Sequence, residues 1–180
     1  MISVLPNAIT LGRLLSVPLL AIVLSGYNYQ MAFWFFLALS LSDGLDGYIA
    51  RRFDAITPVG TLLDPVADKL LVITSVSVLV WDGLLPLWIG APLVLRDVAM
   101  LSAGLLDSKL RETPMPSNIW GKSHACLAFL AIGFAIGEAA DLFFSGWVSV
   151  AIWSALLVTV SITSLVYCAA WRRIHVVGGS

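Results

Sequence analysis

Six apolar runs follow one another along this chain, each close to the ~20 residues that a helix needs to cross a bilayer. They span approximately Ile9–Leu24, Gln30–Ala50, Gly60–Trp81, Leu87–Leu106, Asn118–Glu138 and Gly146–Trp171, and the breaks between them are short. A lipid-embedded backbone must satisfy its own N–H and C=O groups, which leaves helices or closed barrels. Runs of this length predict helices. Composition agrees: of 180 residues, 59% are hydrophobic and 12% charged, against ~25% charged in soluble domains, and the mean hydropathy is +0.96. The expectation is an all-α integral membrane protein of six transmembrane helices, forming a single domain over residues 1–180. A net charge of -1 gives no basic surface for nucleic acid.

The punctuation fits that reading. Pro58, Pro86, Pro114 and Pro116 fall at breaks, where a missing N–H costs least. Tyr27, Tyr29, Trp81, Trp147 and Trp171 lie near run ends, as in interfacial aromatic belts. Cys126 and Cys168 sit in apolar stretches, with neither a disulfide framework nor a metal spacing. The opening MISVLPNAIT has no Lys or Arg, whereas a cleaved leader wants a basic start, so the first run is expected to be a retained span.

Basic residues set the orientation. Arg51 and Arg52 follow the second run, Lys109 and Arg111 the fourth, Arg172 and Arg173 the sixth, and the other three loops carry no Lys or Arg. Six spans put all these cations on one side with the N-terminus. That side is the cytoplasm of a bacterium, or the matrix if the membrane is the mitochondrial inner one.

The acids are distributed unevenly. SDGLDGYIARRFDAITPVGTLLDPVADK, residues 42–69, holds Asp43, Asp46, Asp54, Asp64 and Asp68. Asp43 and Asp46 are three apart and Asp64 and Asp68 four apart, so each pair shares a helix face. Two antiparallel helices would bring four carboxylates together near the cytoplasmic interface. A charged side chain at membrane depth costs at least ~2.5–3.5 kcal/mol, and Arg51 and Lys69 cannot neutralise four of them. Divalent cations can, and an all-oxygen donor set suits Mg²⁺ or Mn²⁺ rather than zinc. Gly44, Gly47, Ala50 and Gly60 leave room beside the acids. Close helix packing explains small residues by themselves; beside a metal cluster, room for a phosphate-bearing ligand explains them better, with Arg51 as a planar fork for phosphate oxygens.

The spacing as a whole resembles the signature of the CDP-alcohol phosphatidyltransferase family: Asp43, two residues, Asp46-Gly47, two residues, Ala50-Arg51, eight residues, Gly60, three residues, Asp64, three residues, Asp68. All eight specified positions match. The resemblance implies the family's six-helix architecture, a homodimer, and two divalent cations held by Asp43, Asp46, Asp64 and Asp68. It also implies a CDP pocket shaped by Gly47, Ala50, Arg51 and Gly60, with Asp68 as general base. The implied reaction belongs to phospholipid biosynthesis: the phosphatidyl group of CDP-diacylglycerol passes to an alcohol, and CMP leaves. Phosphoryl transfer of this kind is mostly positioning and charge stabilisation, and the motif offers no His, Ser or Cys nucleophile.

Four cations are candidates for the acceptor site: Arg13 early in the first run, Lys69 beside the base, Arg96 within the fourth run, and Lys122 at the start of the fifth. Each has a plainer explanation as well. Arg13 and Lys122 could snorkel, and Arg96 could clamp Asp97. His124, two residues beyond Lys122, reads first as an interfacial hydrogen-bonder. LPNAITLGRL, the RDV of 96–98 and PSNIWGKSHA resemble the cardiolipin synthase branch, whose acceptor is phosphatidylglycerol. The alternative is phosphatidylglycerophosphate synthase, which uses glycerol 3-phosphate. A further cation often follows Gly121-Lys122 in those enzymes, and here the chain reads Ser123-His124-Ala125, which favours a lipid acceptor. A divalent-cation transporter is the alternative from another class, but it would place acids near mid-membrane in related halves, and no second-half counterpart exists.

Overall fold

The computed structural model describes residues 4–52, 58–106, 119–142 and 146–172, with side chains over 11–42, 64–106, 119–142 and 146–172. Its described residues form six helices where six were expected: α1 (Val4–Ser25), α2 (Tyr29–Arg52), α3 (Pro58–Trp81), α4 (Leu87–Leu106), α5 (Ile119–Ala139) and α6 (Trp147–Arg172). No strand occurs among the described residues. By length and composition α4, α5 and α6 can each cross a membrane. The described side chains of α1 and α2 add apolar stretches at Leu11–Ser25 and Tyr29–Ser42. α3 interrupts its apolar character with Asp64, Asp68 and Lys69.

Three connections show how the hairpins close. Each helix leading into one ends on a left-handed residue: Tyr27 at φ 57°, Gly83 at φ 75° and Asp141 at φ 56°. After α3, the Leu84 N–H donates to the Leu79 carbonyl at 2.9 Å and the Gly83 N–H to Val80 at 3.1 Å. After α5, the Leu142 N–H donates to Gly137 at 2.9 Å and the Asp141 N–H to Glu138 at 3.1 Å. These paired bonds are the Schellman pattern, which satisfies carbonyls left over at a helix end. Asn28 then starts α2, its Oδ1 accepting from the Met31 N–H at 3.1 Å as an N-cap does. These are the three loops without Lys or Arg.

The helices pack as a closed ring. α1 lies between α2 and α3, α3 touches α4, α4 touches α6, α6 touches α5, and α5 returns to α2, while α3 and α5 also meet across the middle. Leu20, Leu24, Leu71, Leu79, Leu93, Ile132, Ile136 and Leu156 fill the interior with almost no exposure. Small buried residues on α5 (Ala128, Ala131 and Ala135) let neighbours approach closely. In lipid, such packing rather than expulsion of water holds helices together. The outer face shows the opposite choice: Leu15, Ile22, Trp34, Leu95, Leu130 and Leu165 are exposed, as side chains bathed in acyl chains can be. The ring matters to function because four of its helices, α3, α4, α5 and α6, line one interior space with polar side chains.

Candidate active site

Charged residues inside the bundle have found one another. From α1, Arg13 donates through Nη1 to Oδ1 of Asp68 on α3 at 3.0 Å, and the arginine side chain is 2% exposed. One residue along α3, Lys69 donates through Nζ to Oδ1 of Asp97 on α4 at 3.3 Å. Arg96 donates through Nη1 to the same oxygen at 2.5 Å. Asp97 is 5% exposed and Arg96 8%, so one buried carboxylate serves two cations. Among the described residues these ion pairs join three cations to two carboxylates. The Arg96 guanidinium also lies 5.9 Å from the centre of the Tyr167 ring on α6, within cation–π range.

His124 on α5 closes the group. Its Nδ1 is 3.1 Å from Thr159 Oγ1, and that hydroxyl donates its hydrogen to the Leu156 carbonyl at 2.8 Å. With the hydroxyl hydrogen on that carbonyl, Nδ1–H donates to Thr159 in the neutral ring, the tautomer that leaves a lone pair on Nε2. Nε2 is buried and has no hydrogen-bond partner among the described residues, and the same holds for Arg96 Nε. Buried polar atoms without partners are uncommon in folded proteins. Here two of them border the same space.

That space is a cavity of about 230 Å³, with Asp68, Lys69, Arg96, Asp97, His124 and Tyr167 among its lining residues. Asp68, predicted as the base, thus shares a cavity with Lys69 and Arg96, two of the predicted acceptor cations. Arg13 and Lys122 stand elsewhere: Arg13 is seated on Asp68 and does not line the cavity, and Lys122 is exposed, although Gly121 and His124 on either side of it do line the space. Gly121 faces Tyr167 so closely that a Cβ would stand 2.9 Å from the phenol oxygen. Asp43, Asp46, Gly47, Ala50, Arg51 and Gly60 lie outside the residues whose side chains are described.

Sequence reasoning did not single out Tyr167, Thr159 or the double duty of Asp97. A signal for the first two exists. Thr159, Thr163 and Tyr167 recur every four residues in an apolar run, which puts three hydroxyls on one face of α6.

The fit to a divalent metal is tested by donor chemistry. Asp64 and Asp68 stand one turn apart on α3, Asp64 exposed and Asp68 partly so. Both offer the hard oxygens that Mg²⁺ and Mn²⁺ require. Among the described residues no three acid, His or Cys side chains converge, and the other two motif aspartates lie outside them. By their chemistry the described donors fit such an ion.

The fold is thus a helical membrane bundle with a charged interior cavity that Asp68 helps to line. The family model for CDP-alcohol phosphatidyltransferase matches residues 3–176, and the chain belongs to that family. It is therefore an enzyme, and the cation-transporter reading falls away. Among its relatives, the cardiolipin synthase (CMP-forming) of Streptomyces coelicolor is 31% identical over 180 residues, which cover 90% of this chain and 84% of the relative. The CDP-diacylglycerol–glycerol-3-phosphate 3-phosphatidyltransferase of Aquifex aeolicus is 36% identical over 136 residues, 71% of this chain and 74% of that one. A Schizosaccharomyces pombe protein named as a fusion of cardiolipin synthase (CMP-forming) with a mitochondrial hydrolase is 42% identical over 114 residues. That match covers 63% of this chain and 18% of the fusion protein.

Proposed function

We propose that the enzyme transfers the phosphatidyl group of CDP-diacylglycerol to an alcohol seated in the cavity beside Asp68, with release of CMP. The preferred alcohol is phosphatidylglycerol, which makes cardiolipin; glycerol 3-phosphate is the second reading, and the relatives' names divide between the two. The observation that carries the proposal is the cavity itself: the last aspartate of the donor motif and two cations, Lys69 and Arg96, border one space.

In this reading the acceptor anion lies against Lys69 and Arg96, the reacting hydroxyl faces Asp68, and the acceptor's other hydroxyl donates to Nε2 of His124. The reacting hydroxyl oxygen forms a bond to the phosphorus that carries diacylglycerol, the bond from that phosphorus to the CMP oxygen breaks, and the reacting hydroxyl's proton passes to Asp68. Arg13 fixes the carboxylate through Oδ1. Gly47, Ala50, Arg51 and Gly60 form the CDP pocket. Asp43, Asp46, Asp64 and Asp68 would hold two divalent cations, Mg²⁺ or Mn²⁺, which supply charge compensation for the pyrophosphate and the departing CMP. A single net cation beside Asp97 suits a phosphodiester, with one negative charge, better than a phosphomonoester with nearly two.

The test is direct. Purified enzyme with CDP-diacylglycerol, Mn²⁺ or Mg²⁺ and each alcohol in turn is expected to give an acceptor-dependent release of CMP. Mass spectrometry is expected to identify cardiolipin as the product with phosphatidylglycerol. A chelator is expected to abolish turnover, and full transfer in metal-free buffer would sink the metal assignment.

In this reading the site faces the cytoplasm, or the matrix in a mitochondrion, on the positive-inside rule applied to the basic loops. In a Cys126→Ser, Cys168→Ser background, single cysteines at Asn28 and Lys109 are expected to react from opposite faces of the membrane. Labelling of both from one face would contradict the six-span topology.

A further inference from the structure

A second space adjoins the cavity. Arg96, Met100 and Tyr167 line both the cavity and a larger groove of about 690 Å³ between α4 and α6. Away from that junction the groove is mostly apolar, with Ala99 and Ala103 on α4 and Leu165 and Ala169 on α6. Ala99, Leu165 and Ala169 are exposed on the outer surface, so the groove opens sideways from the bundle. It extends along α6 as far as Trp171 and Arg172, the aromatic and basic pair expected at a membrane interface. It therefore runs from the interface into the depth of one leaflet, as a lipid does.

Its inner end is polar in a specific way. Arg96 is almost fully buried, its Nε has no hydrogen-bond partner among the described residues, and its guanidinium is held against Tyr167. An apolar trough that ends on a buried cation with an unused donor complements an anion that carries a hydrocarbon tail. The donor motif lies on α2 and the first half of α3, flanking α1. The groove lies beyond α4, on the other side of the cavity.

From this we propose that the groove between α4 and α6 is the acyl-chain site of the acceptor. The acceptor is thus a phosphodiester glycerolipid that enters laterally from the leaflet, its headgroup hydroxyl passing Tyr167 into the cavity and its phosphodiester resting on Arg96. This deepens, and rests on, the phosphatidyl-transfer reading given above. Ala103 lines the groove and not the cavity, so filling it tests the tail site without touching the headgroup site.

The experiment compares phosphatidylglycerol with its tail-less counterpart, glycerophosphoglycerol, and with glycerol 3-phosphate. Ala103→Trp is expected to lower the ratio of kcat/KM for phosphatidylglycerol over that for glycerophosphoglycerol at least ~10-fold, mainly through KM, since one lost apolar contact of 1.4 kcal/mol already amounts to tenfold. Wild-type enzyme illuminated with phosphatidylglycerol bearing a diazirine on its acyl chain is expected to be labelled on residues 99–103 and 164–169. Excess phosphatidylglycerol should suppress that labelling, and glycerol 3-phosphate should not. An unmoved ratio with adducts spread over other faces would overturn the groove while leaving transfer to phosphatidylglycerol in place. So would preferential labelling of the groove by a diazirine-bearing CDP-diacylglycerol, or a quantitative Cys168–Cys168 disulfide between two copies that leaves turnover intact. Transfer to glycerol 3-phosphate alone would overturn the lipid acceptor together with the groove. Absence of acceptor-dependent CMP release with all three alcohols would remove the phosphatidyl-transfer reading itself.

Discussion

Asp68→Asn is expected to lower turnover by about 10²–10⁴, the usual cost of losing a positioned general base, while CDP-diacylglycerol binding falls much less. The amide keeps the size of the side chain and one oxygen for Arg13 or a metal, but it does not take up a proton. His124→Phe provides the contrast. It removes the Nε2 lone pair from the cavity wall and leaves the motif aspartates in place, so its expected effect is a higher acceptor KM with a smaller change in kcat. Asp43→Asn removes a charge from the proposed metal set and spares the proposed base, so metal and donor binding should weaken together. The measurement is turnover, donor affinity and acceptor KM for the three variants over a metal titration. Recovery of Asp68→Asn to near wild-type turnover at high metal would make Asp68 a ligand and not a base. Equal loss of donor binding in Asp68→Asn and Asp43→Asn, with parallel recovery, would mean that the aspartates act as one electrostatic unit.

The helices were legible in the sequence because a bilayer imposes a length scale. A run such as Trp147–Arg172 has few alternatives in lipid, and the observed ends fall within a few residues of the expected ones. The grouping of Lys69 with Arg96 was only partly legible. Both were picked out as candidate acceptor-site cations, but their shared carboxylate lies 28 residues from Lys69 and becomes a partner only when α3 and α4 pack together. Arg13 shows the limit more clearly. Its role depends on α1 lying against α3, which puts it 3.0 Å from a carboxylate 55 residues away, and no local pattern encodes that neighbour. His124 was legible as a residue and not as an environment: its Nδ1 meets Thr159 on another helix, whose hydroxyl is itself bonded to the Leu156 carbonyl. The face formed by Thr159, Thr163 and Tyr167 could have been read from spacing, but hydroxyls in a membrane helix usually bond back to their own backbone. Thr163 does this, donating to the Thr159 carbonyl at 2.7 Å.

Loss of Asp97 should be the most damaging single change to stability in the described part of the bundle. Its buried Oδ1 accepts from both Lys69 and Arg96. Asp97→Asn keeps the shape and removes the charge, which leaves the two cations facing each other at the cavity wall. Breaking a buried pair by removing one partner typically costs about 3–5 kcal/mol. Lys69 is partly exposed at 22%, so the lower half of that range is the expectation, read as a lower midpoint of thermal unfolding in detergent. Removing the cation as well should reverse the loss: Arg96→Met with Asp97→Asn leaves Lys69 as a lone, partly solvated cation and fills the space with an apolar chain. Replacing buried ion pairs with packed apolar groups is often neutral or stabilising. The double variant should therefore regain most of the midpoint, yet acceptor KM should stay high because the guanidinium proposed to hold the acceptor anion is gone. The two readouts separate the clamp from the binding site. A double variant as unstable as Asp97→Asn would show that Asp97 stabilises the bundle through something other than charge balance. A double variant with wild-type acceptor KM would remove Arg96 from the acceptor site and move anion recognition to Lys69 and His124.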